Sequence, residues 1–332
     1  MKTISILIIT AFLAACGNTG SSSSGSSTTD TSTTSTTTST STSTTSASIS
    51  VATATLNGAS GCITNVNTSI DAALPSWATD NFKCQVAYTS GSNYVFKSAN
   101  LPNHASYYWC SSHPAGGTTC SSGQNATLWA SLPGSNFAAG TNVISSQNLI
   151  YTIPATPSLK SGTLSSTQGG LASIGITANG LAIFNNAAAP GDTLSTEAQT
   201  FDAFGGHPQN SGVYHHHAAV TKLSSTMSDS ALLGVALDGY LIYAEKCDNG
   251  TDTTADVTLT APTGAATGTS TADTGAGNGD SSTSLDRLHG HTKKTRHMTT
   301  ATYHYHYAQD PSSGIKTILA GYFRGTIGSV SN

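Results

Sequence analysis

From about Val51 onward the chain alternates Val, Ile and Tyr with polar residues, in short runs bounded by Gly, Asn, Asp and Ser. That period belongs to strands and turns rather than to helices. Two runs repeat each other: Ile174-Gly-Ile-Thr-Ala-Asn-Gly-Leu-Ala-Ile-Phe184 and Leu233-Gly-Val-Ala-Leu-Asp-Gly-Tyr-Leu-Ile-Tyr243. Each is an apolar run broken by Asn-Gly or Asp-Gly, dipeptides that favour a type I′ hairpin turn. Each hairpin is followed by a Gly-His and then by a Tyr-His run, so the repeating unit is hairpin, loop, Gly-His, histidine-bearing strand. Upstream, Tyr88, Tyr94 to Phe96, Trp109 and a strand at Leu149–Ile153 supply an N-terminal β layer, with a short helix expected at Asn67–Leu74. The predicted fold is mainly β, a β-sandwich-like or mixed β domain with an internal hairpin and His-strand repeat.

The N-terminus has a different pattern. Met1-Lys2 precedes an apolar run, Ile4 to Leu13, too short to span a bilayer. It ends in Leu13-Ala14-Ala15-Cys16-Gly17, which resembles the bacterial lipoprotein signal, in which cleavage exposes a cysteine for acylation. Residues 1–15 are thus read as signal peptide, and Cys16 as the lipidation site. Between Ser21 and Ser50, 26 of 30 residues are Ser or Thr, too little apolar area to offset the entropy of ordering. Residues 16–50 are expected to form a disordered tether. The rest divides into an N-terminal layer, 51–160, and a core, 161–332, with an inserted loop at 248–284. The expected location is the bacterial cell envelope, lipid-anchored and facing outside the cytoplasm.

Charge and cysteines narrow the class. Charged residues make up 8% of the chain and the net charge is −4, which leaves no basic surface for nucleic acid. With Cys16 set aside, five cysteines remain. Proximity suggests Cys62 with Cys84 and Cys110 with Cys120, and an exported protein can keep such bonds, although four cysteines allow three connectivities. Cys247 is left over and is read as a buried inert thiol, with a metal ligand or an intermolecular bridge as the alternatives. The carboxylates of the inserted loop (Asp248, Asp252, Asp256, Asp273, Asp280) match no helix–loop–helix calcium spacing, and solvated loop is the default.

The histidines carry the chemistry. Nine of eleven lie at or beyond His207, in two matched clusters: Gly206-His207 with Tyr214-His215-His216-His217, and Gly290-His291 with Tyr303-His304-Tyr305-His306. Side chains alternate along a strand, so His304 and His306 share one face and the tyrosines the other. The same phase places His215 and His217 on the site face, with Tyr214 and His216 opposite. His207, His215, His217, His291, His304 and His306 are expected to converge as two half-sites of one site, around one or two ions. An imidazole-rich set favours copper, zinc or iron over magnesium or calcium. Tyr214, Tyr303, Tyr305, Asp202 and Asp286 are supporting or packing residues, the aspartates as acceptors for the ligating histidines; His104 and His289 are additional candidates. His113 and His297 default to solvated positions. A buried hydrogen-bonded network, or catalysis without metal, would use the same residues. No Gly-x-Ser-x-Gly elbow, phosphate loop or His-Glu-x-x-His is present, and no catalytic residue is identifiable.

The strings from Thr200 to His217, Leu232 to Tyr243, Leu285 to Thr292, Tyr303 to His306 and Gly321 to Thr326 resemble the YHYH-domain proteins, largely exported and named for the Tyr-His-Tyr-His motif. Ser98-Ala-Asn-Leu-Pro-Asn-His104 resembles that family's early motif. This chain departs in the first cluster, where His216 stands for the second Tyr. The resemblance identifies the domain without fixing an activity. Metal binding at a six-histidine site is the leading functional reading, for acquisition, sequestration or a metal-dependent oxidoreductase step. The alternatives are a surface binding or adhesion module for glycan or protein, in which the Tyr/His strands are structural, and a metal-dependent hydrolase.

Overall fold

The alternating runs fold into two large sheets whose buried side chains meet in one hydrophobic core, with four two-stranded sheets beside them among the described residues. The computed structural model describes residues 49–113, 119–131, 137–168, 173–217, 231–247, 257–275, 283–309 and 316–332, all within one compact unit, Thr44–Asn332. The expected signal peptide, Cys16 and nearly all of the tether lie outside the described residues, as do parts of the inserted loop. The sheets are built from β1 (Ser69–Ile70), β2 (Val86–Ser90), β3 (Asn93–Ser98), β4 (Leu149–Pro154), β5 (Ser173–Thr177), β6 (Ala182–Phe184) and β7 (Gly206–Pro208). These are followed by β8 (Tyr214–His217), β9 (Leu232–Ala236), β10 (Leu241–Tyr243), β11 (Gly290–Lys293), β12 (Thr302–His306) and β13 (Ser329–Ser331).

One sheet has the order β1-β2-β3-β4-β13, so the last strand of the chain completes the N-terminal layer. The larger sheet has eight strands in the order β7-β8-β6-β5-β9-β10-β12-β11. Phe96, Tyr151 and Ile153 of the first sheet and Ile174, Ile176, Val235 and Ile242 of the second are buried in the shared core. Burying each such side chain stabilises the fold by about 1.5–3 kcal/mol.

The larger sheet reads the same from both edges. Its central pair, β5 and β9, is antiparallel with Ile176 opposite Val235, flanked by Thr177 opposite Gly234 and Gly175 opposite Ala236. Those are equivalent positions of the sequence repeat, so a pseudo-twofold axis passes through the Ile176–Val235 pair. The glycines are required there. A Cβ on Gly175 would lie 2.5 Å from the Val235 carbonyl oxygen, and one on Gly234 would lie 2.2 Å from that of Ile176. On either side the pattern continues: β6 runs parallel to β8, with Ile183 opposite His216, and β10 runs parallel to β12, with Ile242 opposite Tyr305.

Both hairpins form at the expected dipeptides, but with a different turn. Only Gly180 (φ +80°) and Gly239 (φ +88°) enter the left-handed region, while Asn179 and Asp238 keep negative φ. Gly180 N–H donates to Thr177 O and Gly239 N–H to Ala236 O. Each turn therefore ends in a left-handed glycine, as in a three-residue loop with a bulge, rather than adopting type I′. The helix expected at Asn67–Leu74 is also displaced. Ser69–Ile70 pairs with β2, and the helical turn is Ser76–Thr79, after Pro75. Asp71 accepts from Ala73 N–H and holds the chain in a local turn, the competition with helix that short Asp side chains set up.

The N-terminal region grips the first repeat. Asn100 donates to Tyr214 O at 2.7 Å and accepts from Ala182 N–H at 2.8 Å, bridging β8 and β6 with an amide side chain. Tyr107, Tyr108, Trp109 and Ile144 form a second buried cluster that includes Tyr214. Disulfides join Cys62 to Cys84 and Cys110 to Cys120.

Candidate metal centres

Antiparallel pairing sets up each histidine group. In β7 and β8, His207 lies opposite His215, and His217 follows two residues on, on the same face. All three rings point their Nε2 atoms at one spot: His207 to His215 is 3.1 Å, His207 to His217 is 3.2 Å, and His215 to His217 is 3.1 Å. Zinc–nitrogen bonds of about 2.0–2.1 Å would place tetrahedral nitrogens about 3.3–3.4 Å apart, so this tripod is within a few tenths of an ångström of a ligand cage. The glycine of each Gly-His serves the opposite face. A Cβ on Gly206 would lie 2.5 Å from the Tyr214 ring, and one on Gly290 would lie 2.3 Å from that of Tyr303.

The tautomers follow from the partners of Nδ1. His215 Nδ1 lies 3.0 Å from Val213 O and His217 Nδ1 lies 2.9 Å from Asn185 O. A carbonyl only accepts, so both Nδ1 atoms carry the proton. The Thr200 hydroxyl donates to Glu197 O at 2.7 Å, which leaves it to accept from His207 Nδ1–H at 2.6 Å. On neutral rings the three Nε2 atoms are then lone pairs facing one another. Burial, first, and neighbouring imidazoles, second, push His207 down to about 3 and His215 well below its usual value. A proton is thus disfavoured as the cation between them. Phe184 stacks on His215 and Phe201 on His217, walling the group with aromatic faces.

The second group repeats the plan in β11 and β12. His291 lies opposite His304, with Nε2 atoms 3.1 Å apart. His304 Nδ1–H donates to Thr302 O and His306 Nδ1–H to Ala244 O, the counterparts of Val213 and Asn185. The buried Nε2 of His306 has no hydrogen-bond partner in the structure, and burial together with His304 and His291 holds this ring well below its usual pKa. Cys247, the cysteine outside both disulfides, joins this group with Sγ 3.7 Å from His304 Nε2. One donor atom from each of Cys247, His291, His304 and His306 lies within 4.8 Å of every other.

The six expected histidines therefore assemble, but into two groups rather than one. Four strands separate β8 from β12. At about 4.8 Å per strand, the groups lie about 24 Å apart along the sheet. The repeat axis, central in the sheet, sends the histidine strands outward to opposite edges. His104 and His289 join neither group. His104 stacks on Phe204 with ring centroids 3.9 Å apart, and His289, buried, bonds to Thr317 O.

The supporting residues do something different from what was expected. Asp202 accepts from Tyr214 OH and from Phe204 and Gly206 N–H. Asp286 accepts from Tyr303 OH and from Leu288 and Gly290 N–H. The carboxylates tie the loop before each Gly-His to the tyrosine face, while backbone carbonyls orient most of the histidines. Tyr305 donates to Asp238 Oδ2 at 2.6 Å, which also receives Gly325 N–H. His216, in the place of Tyr305, is fully buried on the face away from the tripod. His113 and His297 are not freely solvated: one bonds to Asn142 O and the other to Tyr243 OH.

One donor, Cys247, was ranked as an inert thiol ahead of a ligand, and one, Glu197, was missed. Cys247 had a signal, being the odd cysteine four residues past the hairpin strand that runs beside the histidine strand. Glu197 had none. A single helical turn, Leu194–Glu197, capped by the Thr193 hydroxyl, carries its carboxylate to 3.6 Å from both His207 Nε2 and His217 Nε2.

This is a β protein with a duplicated sheet and two buried groups able to hold a metal ion. A family model described as "YHYH protein" matches residues 150–321, more than half of the chain, and the chain belongs to that family. The match spans both histidine groups. No curated protein and no solved structure matches the chain significantly. The two disulfides point to an extracytoplasmic location. Among the described residues no helix is long and apolar enough to cross a membrane.

Proposed function

We propose that this protein is an envelope lipoprotein that binds transition-metal ions through two histidine centres, His207, His215 and His217 in one and His291, His304 and His306 in the other. The observation that carries the reading is the first tripod. Three imidazoles have their Nδ1 atoms bonded outward and their Nε2 atoms converging at 3.1–3.2 Å. With Nδ1 bonded to oxygen acceptors, neutral rings offer no donor for these three contacts. An intermediate-softness cation such as copper, zinc or iron satisfies all three nitrogens. Cys16, in Leu13-Ala14-Ala15-Cys16-Gly17, would carry the lipid, and the Ser/Thr-rich segment would hold the domain away from the membrane.

The test is metal content. Protein purified without a histidine tag or chelating resin should carry, or take up from copper, zinc or iron salts, about one ion per histidine centre. His215→Ala with His217→Ala should remove one equivalent and leave the circular dichroism spectrum in place. Retention of the full metal content by that variant would sink the ligand assignment.

A further inference from the structure

The two centres share a backbone plan and differ in their fourth donor. In the second, Cys247 is the fourth residue after Tyr243; the same position after Phe184 in the first copy is Ala188. The thiol is therefore private to the second copy. Its distance to His304 Nε2, 3.7 Å, is close to the roughly 3.6 Å expected between sulfur and nitrogen on one tetrahedral zinc-sized ion. In the first copy the helical turn at Leu194–Glu197 supplies a carboxylate instead. Its two oxygens lie 3.6 Å from His207 Nε2 and His217 Nε2, too long for hydrogen bonds; the donors within 4.8 Å of one another are the three histidines, so Glu197 stands at the rim of the group. Glu197 Oε2 is buried with no hydrogen-bond partner in the structure. A carboxylate oxygen with no donor, facing imidazole nitrogens, is offset by a cation bound among them.

Access differs as well. The side chains of His207 and Glu197 are 9% and 12% exposed, whereas Cys247, His291, His304 and His306 are at 0%.

We propose that the duplicated sheet carries two chemically distinct metal sites: a three-nitrogen, carboxylate site completed by Glu197 that exchanges its ion with solution, and a buried three-nitrogen, thiolate site completed by Cys247 that retains a thiophilic ion, Cu(I) or Zn(II). Thiolate donors select soft and borderline ions, and the thiol gives up its proton on coordination. The carboxylate adds a harder donor within reach of water. This inference rests on the metal-binding reading above and extends it to the identity and lability of each ion.

Cobalt(II) titration of the metal-free protein tests it, because a thiolate bound to cobalt gives a near-ultraviolet charge-transfer band that nitrogen and oxygen donors do not. Two bound equivalents are expected, one with the band. Cys247→Ala should abolish the band and leave the other equivalent; Glu197→Gln should keep the band and weaken the other equivalent roughly tenfold. A chelator should strip the band-free ion at least about tenfold faster than the other. Two equivalents without a thiolate band, or a band that survives Cys247→Ala, would overturn the divergence and leave metal binding standing. No bound cobalt, together with no copper, zinc or iron, would remove both. Should Cys247→Ala fail to fold, X-ray absorption at the zinc edge of the wild-type protein decides. About half a sulfur per ion supports the proposal, and a nitrogen and oxygen shell alone overturns it.

Discussion

The two halves of the eight-stranded sheet follow one backbone plan and part company at a few side chains: His216 against Tyr305, Asn179 against Asp238, Ala188 against Cys247. What they keep is the machinery that aims imidazoles. The carbonyls of Val213 and Asn185 in one half, and of Thr302 and Ala244 in the other, fix the Nδ1 protons of the paired strand histidines. Asp202 and Asp286 each hold one tyrosine hydroxyl and the amides of the adjoining turn. What varies lies on the far face or around the rim of the histidine group. Duplication has kept three histidines and the carbonyls that orient them, and left the spacing of the third nitrogen, the fourth donor and the tyrosine face free to change.

The strongest way to break the comparison is at its axis. Gly175→Ala and Gly234→Ala each drive a Cβ into a carbonyl of the partner strand, at 2.5 and 2.2 Å. Each should cost about 3 kcal/mol or more, with similar losses in thermal unfolding if the halves are equivalent there. A cost in only one would show that the pseudo-twofold is not shared energetically.

Next come the positions where the halves differ. Tyr305→Phe removes a donor to the buried Asp238 and should destabilise by about 2–3 kcal/mol, since the bond is to a group that carries charge when ionised. His216→Tyr, which makes the first cluster read like the second, should change stability by no more than about 1 kcal/mol and leave the first centre's metal content intact. Loss of metal in that variant would contradict the placement of His216 on the far face.

The pH dependence of the metal-free chain carries two further effects, and they oppose each other. Burial raises Asp238 to about 6. Its protonated form favours the fold below the unfolded carboxylate value, and that contribution is lost as pH rises through 6. Burial lowers His104 to about 4, so its contribution is present above the unfolded imidazole value, near 6.5, and is lost as pH falls through 4. Asp238→Asn should therefore become more stable relative to wild type as pH rises from 4 to 6, and His104→Gln as pH falls from 6.5 to 4, each by about 2 kcal/mol. Denaturant midpoints across that range read both slopes, and two slopes of the same sign would contradict the assignment.

Much of this was legible beforehand, because it rests on local periodicity. Alternation along Tyr303 to His306 specified which histidines share a face, and the repeated hairpins specified that the plan occurs twice. The separation of the two groups was not legible. It depends on β5 pairing with β9 at the centre, a long-range choice that the apolar runs Ile174–Thr177 and Leu232–Ala236 do not announce. The turn type was misread because Asn179 and Asp238 tolerate positive φ but do not need it once a glycine follows. Glu197 sits on a one-turn helix whose reach to His207 and His217 only the folded loop decides, whereas Cys247 was marked by being unmatched and by its position after Tyr243.

The most direct test of the central claim is quantitative elemental analysis of the wild-type protein beside two variants, His215→Ala/His217→Ala and His304→Ala/His306→Ala. About two equivalents of transition metal in the wild type and about one in each variant, with the fold retained, is the predicted result. A metal-free wild type that takes up neither copper, zinc nor iron, or variants that both keep the full complement, would contradict it.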